Sequence, residues 1–143
     1  MKPSVLVIIL SVLIFPKCNS GTTIYETVDW LNVIAETYLG TITFYDDGII
    51  YKNYSTYNSG QWKIFARDVT AIRFNKTTNG LTELVIMGKW KTLDDTTSDI
   101  REINSLGIGI SREIPDDLIK RTEKAIKHFA ELNGATVLDN SIF

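Results

Sequence analysis

The spacing of apolar residues changes from a helical period to a strand period and back to a helical period along this chain. Apolar side chains recur three or four residues apart over 23–40 and again over 117–134, whereas 41–92 and 106–110 mostly alternate. A run of antiparallel hairpins flanked by helices predicts an α+β fold rather than a parallel α/β sheet. We expect about six strands in a strongly bent antiparallel sheet, capped by a long C-terminal helix. The expected strands are 41–45, 49–54, 62–66, 69–74, 82–90 and 106–110.

Both predicted helices carry end signals. Thr23 and Glu26 fit a capping box, in which each side chain accepts from the backbone N–H of the other residue. Gly40 suits the end of that helix. Pro115 suits the first turn of the C-terminal helix, and Asn133-Gly134 is a signal for its end.

Turn signals separate the predicted strands. Residues 46–48 (Asp-Asp-Gly) predict a hairpin, 67–68 (Arg-Asp) predict a turn between the third and fourth strands, and 75–80 predict the next hairpin. Residues 93–104 predict a long polar loop, within which a short helical turn at 100–103 is an open alternative.

Two glycines stand out in the last predicted strand. Gly107 and Gly109 fall on the same face of that strand and leave it without side chains. Such a bare face indicates that another group packs close to the backbone there.

Residues 1–20 have the three parts of a secretory signal peptide. Lys2 gives a positive start, residues 4–15 form an uncharged apolar run, and small residues follow up to Ser20. The apolar run has 12 residues, whereas about 20 are needed to cross a bilayer as a helix. We therefore expect an exported protein, located in the periplasm or secreted.

Two processing routes are open at the end of this segment. Cys18 and Ser20 suit positions −3 and −1 of a signal peptidase site, so that cleavage leaves Gly21 as the first residue. Lipid attachment at Cys18 is the alternative, and it holds the protein at a membrane surface. Lys17 stands where a lipid-attachment signal has a small residue, so we favour cleavage after Ser20.

The remaining chain is expected to form one domain over 21–134, followed by a short C-terminal tail over 135–143. Loss of Lys2 and Lys17 with the signal lowers the net charge from −2 to −4. A mildly acidic domain does not attract nucleic acid or an anionic membrane, and membrane contact is expected only if Cys18 carries a lipid. Because Cys18 is the only cysteine, its removal leaves no thiol for a disulfide or for zinc.

Residues 23–31 (TIYETVDWL) and 117–134 resemble small exported proteins of Bacteroidetes-type bacteria. In the second segment the resemblance rests on Arg121, Lys124-Ala125, Lys127-His128 and Ala130-Glu131-Leu132. Those proteins are similar to the pleckstrin-homology-like fold, so the resemblance implies a curved sheet capped by the C-terminal helix over most of 23–134. It covers core and capping residues and implies no activity.

Lipid-binding pleckstrin-homology domains hold phosphates with basic residues around the first hairpin. Here Asp46 and Asp47 occupy that hairpin turn, and two carboxylates repel a phosphate. Direct phosphoinositide binding is therefore not expected. Peptide binding along the sheet edge, or in the groove beside the C-terminal helix, remains open.

Catalytic and metal chemistry has few candidates in this sequence. His128 is the only histidine, and its place on the polar side of the C-terminal helix predicts a solvated residue rather than a general base. Asp94, Asp95 and Asp99 lie in the predicted loop, which lacks the glycine bend of a calcium site. They are the candidates for an alternative function, a carboxylate-dependent hydrolase. No catalytic residue, metal or cofactor is predicted.

Aromatic residues supply the predicted binding site. Tyrosines cluster in and after the first hairpin, as is typical of protein interfaces, although a half-exposed strand face gives the same pattern. The predicted binding residues are Tyr45, Tyr51, Tyr54 and Tyr57. Trp30, Trp62 and Trp90 are expected to be core anchors.

The residues together favour a non-enzymatic, exported module that binds a protein or peptide partner in the cell envelope. The hydrolase is one alternative, and a structural subunit of an envelope assembly is the other. A subunit of that kind is expected to form oligomers.

Overall fold

The described part of the chain folds into two helices and a five-stranded antiparallel sheet. The computed structural model describes residues 23–53, 60–76, 81–93, 102–110 and 112–138. Helix α1 spans Ile24–Ile34 and continues into a π-helical turn over Ala35–Leu39. Helix α2 spans Asp116–Leu132. The strands are β1 Ile42–Tyr45, β2 Gly48–Asn53, β3 Gly60–Lys76, β4 Thr82–Thr92 and β5 Glu102–Gly109.

The capping box predicted at the start of α1 is confirmed. The Glu26 N–H donates to Thr23 Oγ1 at 3.2 Å, and the Thr23 N–H donates to the Glu26 carboxylate at 2.9 Å. Gly40 follows the π-helical turn with φ 64°, a conformation that favours glycine. Pro115 immediately precedes the first residue of α2. These ends were predictable because they depend on residues within one helical turn.

The predicted fold class is wrong in the sheet. Each strand pairs only with its neighbours in the order β1-β2-β3-β4-β5, so the described strands form an open meander, not a pleckstrin-homology-like barrel. The described residues contain five strands instead of the six predicted. The predicted third and fourth strands are one strand, β3, because residues 67–68 form an irregularity within it instead of a turn.

Gly88 on β4 accommodates this irregularity. The register between β3 and β4 shifts between Ile64 and Val69, and Gly88 lies opposite Val69 with φ 145°. A Cβ on Gly88 would collide with the Asp68 carbonyl oxygen and lie 2.6 Å from Ile64 Cδ1. The backbones of β3 and β4 can therefore approach closely only because residue 88 has no side chain.

The core lies between the helices and one face of the sheet. Phe44, Ile49, Ile64 and Trp90 are opposite one another on β1 to β4, and each is at most 2% exposed. Phe129 of α2 packs edge-on against Phe44, with ring centroids 5.7 Å apart. Helix α2 thus contributes to this core, whereas the opposite face of the sheet has no described helix against it.

Strand β5 begins earlier than the sequence predicts. Residues 102–104, expected in a loop or a helical turn, are extended and belong to β5. Ile103 lies opposite the fully buried Trp90, which explains why this stretch pairs in spite of its polar neighbours. Among the described residues, neither helix has the length and apolar character needed to cross a membrane.

Candidate strand-addition site

The predicted tyrosine cluster does not form one surface in the described residues. Tyr45 is 46% exposed, on the sheet face opposite the helices. Tyr51 lies opposite the buried Ile42 and packs against the core on the helix side. The structure therefore separates these two side chains, and Tyr54 and Tyr57 lie outside the described residues.

The other candidate residues form no site within the described part of the chain. His128 is half-buried on α2 rather than fully solvated, and Asp94, Asp95 and Asp99 lie outside the described residues. Within the described ranges, no group of three or more His, Cys, Asp or Glu side chains could hold a metal ion. Trp30 and Trp90 are buried, as predicted for core anchors.

The edges of the sheet differ in whether their backbone N–H and C=O groups have hydrogen-bond partners. An edge strand presents unpaired N–H and C=O groups that can pair with another chain, and folded proteins usually block them. This sheet has three such edges: the outer side of β1, the part of β3 that lies beyond β2, and the outer side of β5.

A side chain of α1 closes the β1 edge. Asn32 Nδ2 donates to the Phe44 carbonyl at 2.9 Å, and Asn32 Oδ1 accepts from the Phe44 N–H at 2.8 Å. One amide thereby satisfies both backbone groups of Phe44, much as a neighbouring strand would. Strand β1 has only four residues, so one such side chain covers its centre.

Helix α2 and the chain after it close the second edge. Strand β2 pairs with β3 only as far as Phe65. Beyond that point, a Glu123 carboxylate oxygen accepts from the Phe74 N–H at 3.1 Å. The Leu138 N–H donates to the Thr70 carbonyl at 2.8 Å, so the start of the predicted C-terminal tail packs onto the domain.

Glu123 is held in an environment that disfavours its charge. Partial burial raises the pKa of this carboxyl above its ordinary value of 4.5, and the hydrogen bond from Phe74 only partly opposes that rise. The hydrogen bond from the Phe74 N–H gives this carboxylate a structural role at the β3 edge.

The third edge, on β5, has no equivalent cap in the described part of the chain. The Ile110 N–H donates to the Thr82 carbonyl at 3.0 Å. This bond shows which residues of β5 direct their backbone groups toward β4, because alternate residues of a strand point these groups to the same side. Backbone groups of Leu106, Ile108 and Ile110 therefore point toward β4. The backbone groups of the residues between them point away from the sheet, and no described residue bonds them.

The residues of β5 whose backbone groups point away from β4 have small side chains or none. Ser105, Gly107 and Gly109 are exposed, whereas Leu106 and Ile108 are buried beneath the sheet. A Cβ on Gly107 would collide with the Glu83 carboxylate, which occupies the space that the glycine leaves. The close packing predicted at this bare face is thus confirmed at Gly107, while nothing lies within 4 Å of a Cβ on Gly109.

Strand β5 also lacks the usual features that prevent edge pairing. Its eight residues contain no proline and no lysine, and its one charged side chain, Glu102, stands at its first position. The irregularity between β4 and β5 falls between Met87 and Trp90, where β4 and not β5 carries the extra residue. The arrangement can therefore accept an extended chain through main-chain hydrogen bonds.

The bare face of β5 could be predicted from the sequence, whereas the residues that close the other two edges could not. Asn32 and Glu123 looked like ordinary polar positions on the outer sides of helices. Their partners lie 12 and 49 residues away, so no local pattern could reveal them. Comparison of the chain with protein-family models, with curated proteins and with solved structures finds no match.

Proposed function

We propose that this protein is a non-enzymatic, exported binding module that takes an extended segment of a protein partner at the β5 edge. The proposal rests on the difference between β1 and β3, whose edges are closed, and β5, whose edge is open. Asn32 closes β1 and Glu123 helps to close β3, while the described residues leave the backbone of β5 unpaired. Strand addition uses such an edge, since main-chain hydrogen bonds supply much of the affinity.

The geometry also favours a particular kind of segment. A strand added beside β5 would have one face next to the apolar Leu106 and Ile108, and the other next to Ser105 and Gly107. Because side chains alternate along a strand, an alternating apolar and polar segment suits both faces. Small outward residues on β5 allow its backbone to approach that of the partner.

The cell envelope is the proposed location because of residues 1–20. Their charged start, apolar middle and small-residue end support export, with cleavage after Ser20. The mass of the mature N-terminus tests this part separately. A chain that starts at Gly21 supports cleavage, whereas a lipid-modified Cys18 at the N-terminus would replace it with membrane attachment.

Lysines on the open edge provide the test of the binding site. The double variant S105K/G109K places two charges beside the β5 backbone, as natural edge strands often do. The matched control Y25K/L138K adds the same charge at side chains that are 65% and 58% exposed, away from β5. Immobilised wild-type protein and the control should capture the same envelope proteins, and S105K/G109K should lose them.

A second pair of variants separates this site from the tyrosines predicted in the sequence. Y45A and Y51A change side chains on opposite faces of the sheet, and neither lies on β5. Capture that persists in these variants and disappears in S105K/G109K supports the β5 edge. Capture that S105K/G109K retains in full refutes the proposed site.

A further inference from the structure

Basic side chains gather on the face of the sheet that points away from the helices. Ile64 and Ala66 of β3 and Trp90 of β4 are buried on the helix side, so the residues next to them in each strand point to the opposite, outer face. The outer basic group is the set of cations that this alternation places there on β3 and β4: Lys63, Arg67, Lys89 and Lys91. We propose that this group binds an extended acidic segment of a polypeptide, independently of the β5 edge.

Phe65 holds two of these cations in place. Lys63 Nζ lies 4.7 Å and Arg67 Cζ lies 4.6 Å from the centroid of the Phe65 ring. The stem of Lys63 also lies across Gly48 of β2, where a Cβ would be 3.2 Å from Lys63 Cε. Because these contacts restrict two long side chains before a partner arrives, less rotamer freedom is lost when they bind a carboxylate.

The outer basic group contains a pair of like charges. Lys63 lies directly opposite Lys91 across β3 and β4, an arrangement that destabilises a sheet. Lys63 forms an ion pair with Asp47 at 3.8 Å, and Glu102 of β5 lies opposite Lys91 on its other side. The ion pairs of the described residues include none for Arg67, Lys89 or Lys91. A bound carboxylate would therefore relieve repulsion that the described part of the domain leaves in place.

The acidic net charge of the whole chain does not describe this face. Helix α1 and its π-helical turn carry acidic residues and neither lysine nor arginine. They lie on the other side of the sheet, beyond the core, and charges more than about 8 Å apart are largely screened at physiological ionic strength. A partner at the outer face is therefore attracted mainly by the outer basic group, and net charge is a poor guide to what binds there.

The arrangement of charges favours a narrow partner over a flat one. Asp47 precedes β2 and Glu102 lies on β5, so carboxylates border β3 and β4 on both sides. A flat anionic surface, such as a membrane, would meet both carboxylates. An extended segment that lies along β3 and β4 would pass between them and meet the cations alone.

The spacing of the cations matches an extended polypeptide. Lys63 and Arg67 are four residues apart on β3, and Lys89 and Lys91 are two residues apart on β4. Carboxylates at alternate positions of an extended segment are about 7 Å apart and can follow this repeat. Single-stranded nucleic acid instead binds by stacking its bases on aromatic rings, and two cations already lie over the ring of Phe65.

Fluorescence anisotropy with a labelled peptide of alternating aspartate and serine tests the partner class. The purified protein should bind this peptide, should not bind a peptide of alternating asparagine and serine, and should bind more weakly as salt rises. Oligothymidine and vesicles of phosphatidylcholine with phosphatidylglycerol serve as competing anions. Tighter binding of either one than of the acidic peptide overturns the proposed class of partner.

Charge reversal tests the position of the site. R67E/K89E should weaken binding of the acidic peptide at least about tenfold, because two attractions become repulsions. K120E/K124E changes the net charge equally at exposed positions of α2 and should alter the affinity less than about twofold. Equal losses in both double variants would show that only net charge matters, and would overturn the proposed site.

Amide chemical shifts of the wild-type protein locate the peptide without any substitution. Titration with the acidic peptide should shift amides of β3 and β4 around Phe65, and leave those of α2 in place. This readout keeps the proposal testable if urea unfolding shows that R67E/K89E is not folded. Shifts confined to α2 or to β5 overturn the assignment of the acidic segment to the outer face.

Discussion

The closure of the β1 edge by Asn32 gives a quantitative prediction. Asn32 makes two hydrogen bonds to the backbone of Phe44, one as donor at 2.9 Å and one as acceptor at 2.8 Å. Each such bond contributes about 1 kcal/mol net to the free energy of unfolding. N32A removes both, but alanine regains about 0.6 kcal/mol through its higher helix propensity. The expected net loss is about 1.4 kcal/mol.

D29A on the same helix is the matched control. Asp29 is exposed, makes no hydrogen bond in the described structure, and gains a similar amount of helix propensity on replacement by alanine. Subtracting the change in the free energy of unfolding of D29A from that of N32A removes the contribution of helix propensity. The difference in the free energy of unfolding between N32A and D29A should therefore be about 2 kcal/mol, the value of the two bonds.

Urea unfolding followed by circular dichroism measures this difference. For a domain of this size, about 1 kcal/mol corresponds to about 4 °C in Tm, so N32A should melt about 6 °C below wild type. The slope of the free energy against urea should be unchanged, because the substitution alters little buried surface. Equal stability of N32A and D29A would show that the amide does not stabilise the edge.

N32D adds a pH-dependent check on the geometry. In this variant an ionised carboxylate still accepts from the Phe44 N–H, but it cannot donate to the Phe44 carbonyl and faces that oxygen directly. Protonation restores the donor, so the folded state favours the protonated carboxyl and its pKa is raised above the unfolded value. The stability of N32D should consequently approach that of wild type as pH falls through that pKa, and diverge from it as pH rises.

Two further predictions concern the inner strands. G88A should destabilise the protein by about 2–3 kcal/mol, because the new Cβ meets the Asp68 carbonyl at a positive φ; G109A, with open space around its Cβ, is the control and should be nearly neutral. Glu123 has a raised pKa, so the folded state binds its proton more tightly than the unfolded chain, and stability falls as pH rises from about 4.5 through the folded-state pKa. E123Q keeps an acceptor for Phe74 and should lack this part of the pH dependence in urea unfolding; an unchanged profile contradicts the assignment.

The sequence predicted the ends of the helices better than the shape of the sheet. The capping box of Thr23 and Glu26 depends on residues three apart, so its signal is local. Whether residues 67–68 form a turn or an irregularity depends instead on Gly88, which lies on the neighbouring strand β4 and is distant in the sequence. Arg-Asp suits both outcomes, and only the pairing with β4 decides between them.

The candidate site was predictable in part for the same reason. Alternation in β5 showed where Gly107 and Gly109 lie, and a bare face was visible from their spacing. The sequence could not show that β5 is an edge strand, since strand order is set by long-range pairing. It also could not separate Tyr45 from Tyr51 until the hairpin register fixed the face of each.

Which strand edges are closed by helix side chains, and which are not, relates the fold to the proposed strand addition. Asn32 and Glu123 come from helices that contribute to the core, so the groups that close β1 and β3 are positioned by the same packing that stabilises the domain. Strand β5 has its extensive contacts with β4 among the described elements, and no described helix side chain bonds its outer edge. An edge that the core leaves uncovered must be protected by its own sequence or by a partner. Because β5 carries glycine and serine where a protected edge carries lysine or proline, a partner strand is the arrangement that its sequence fits.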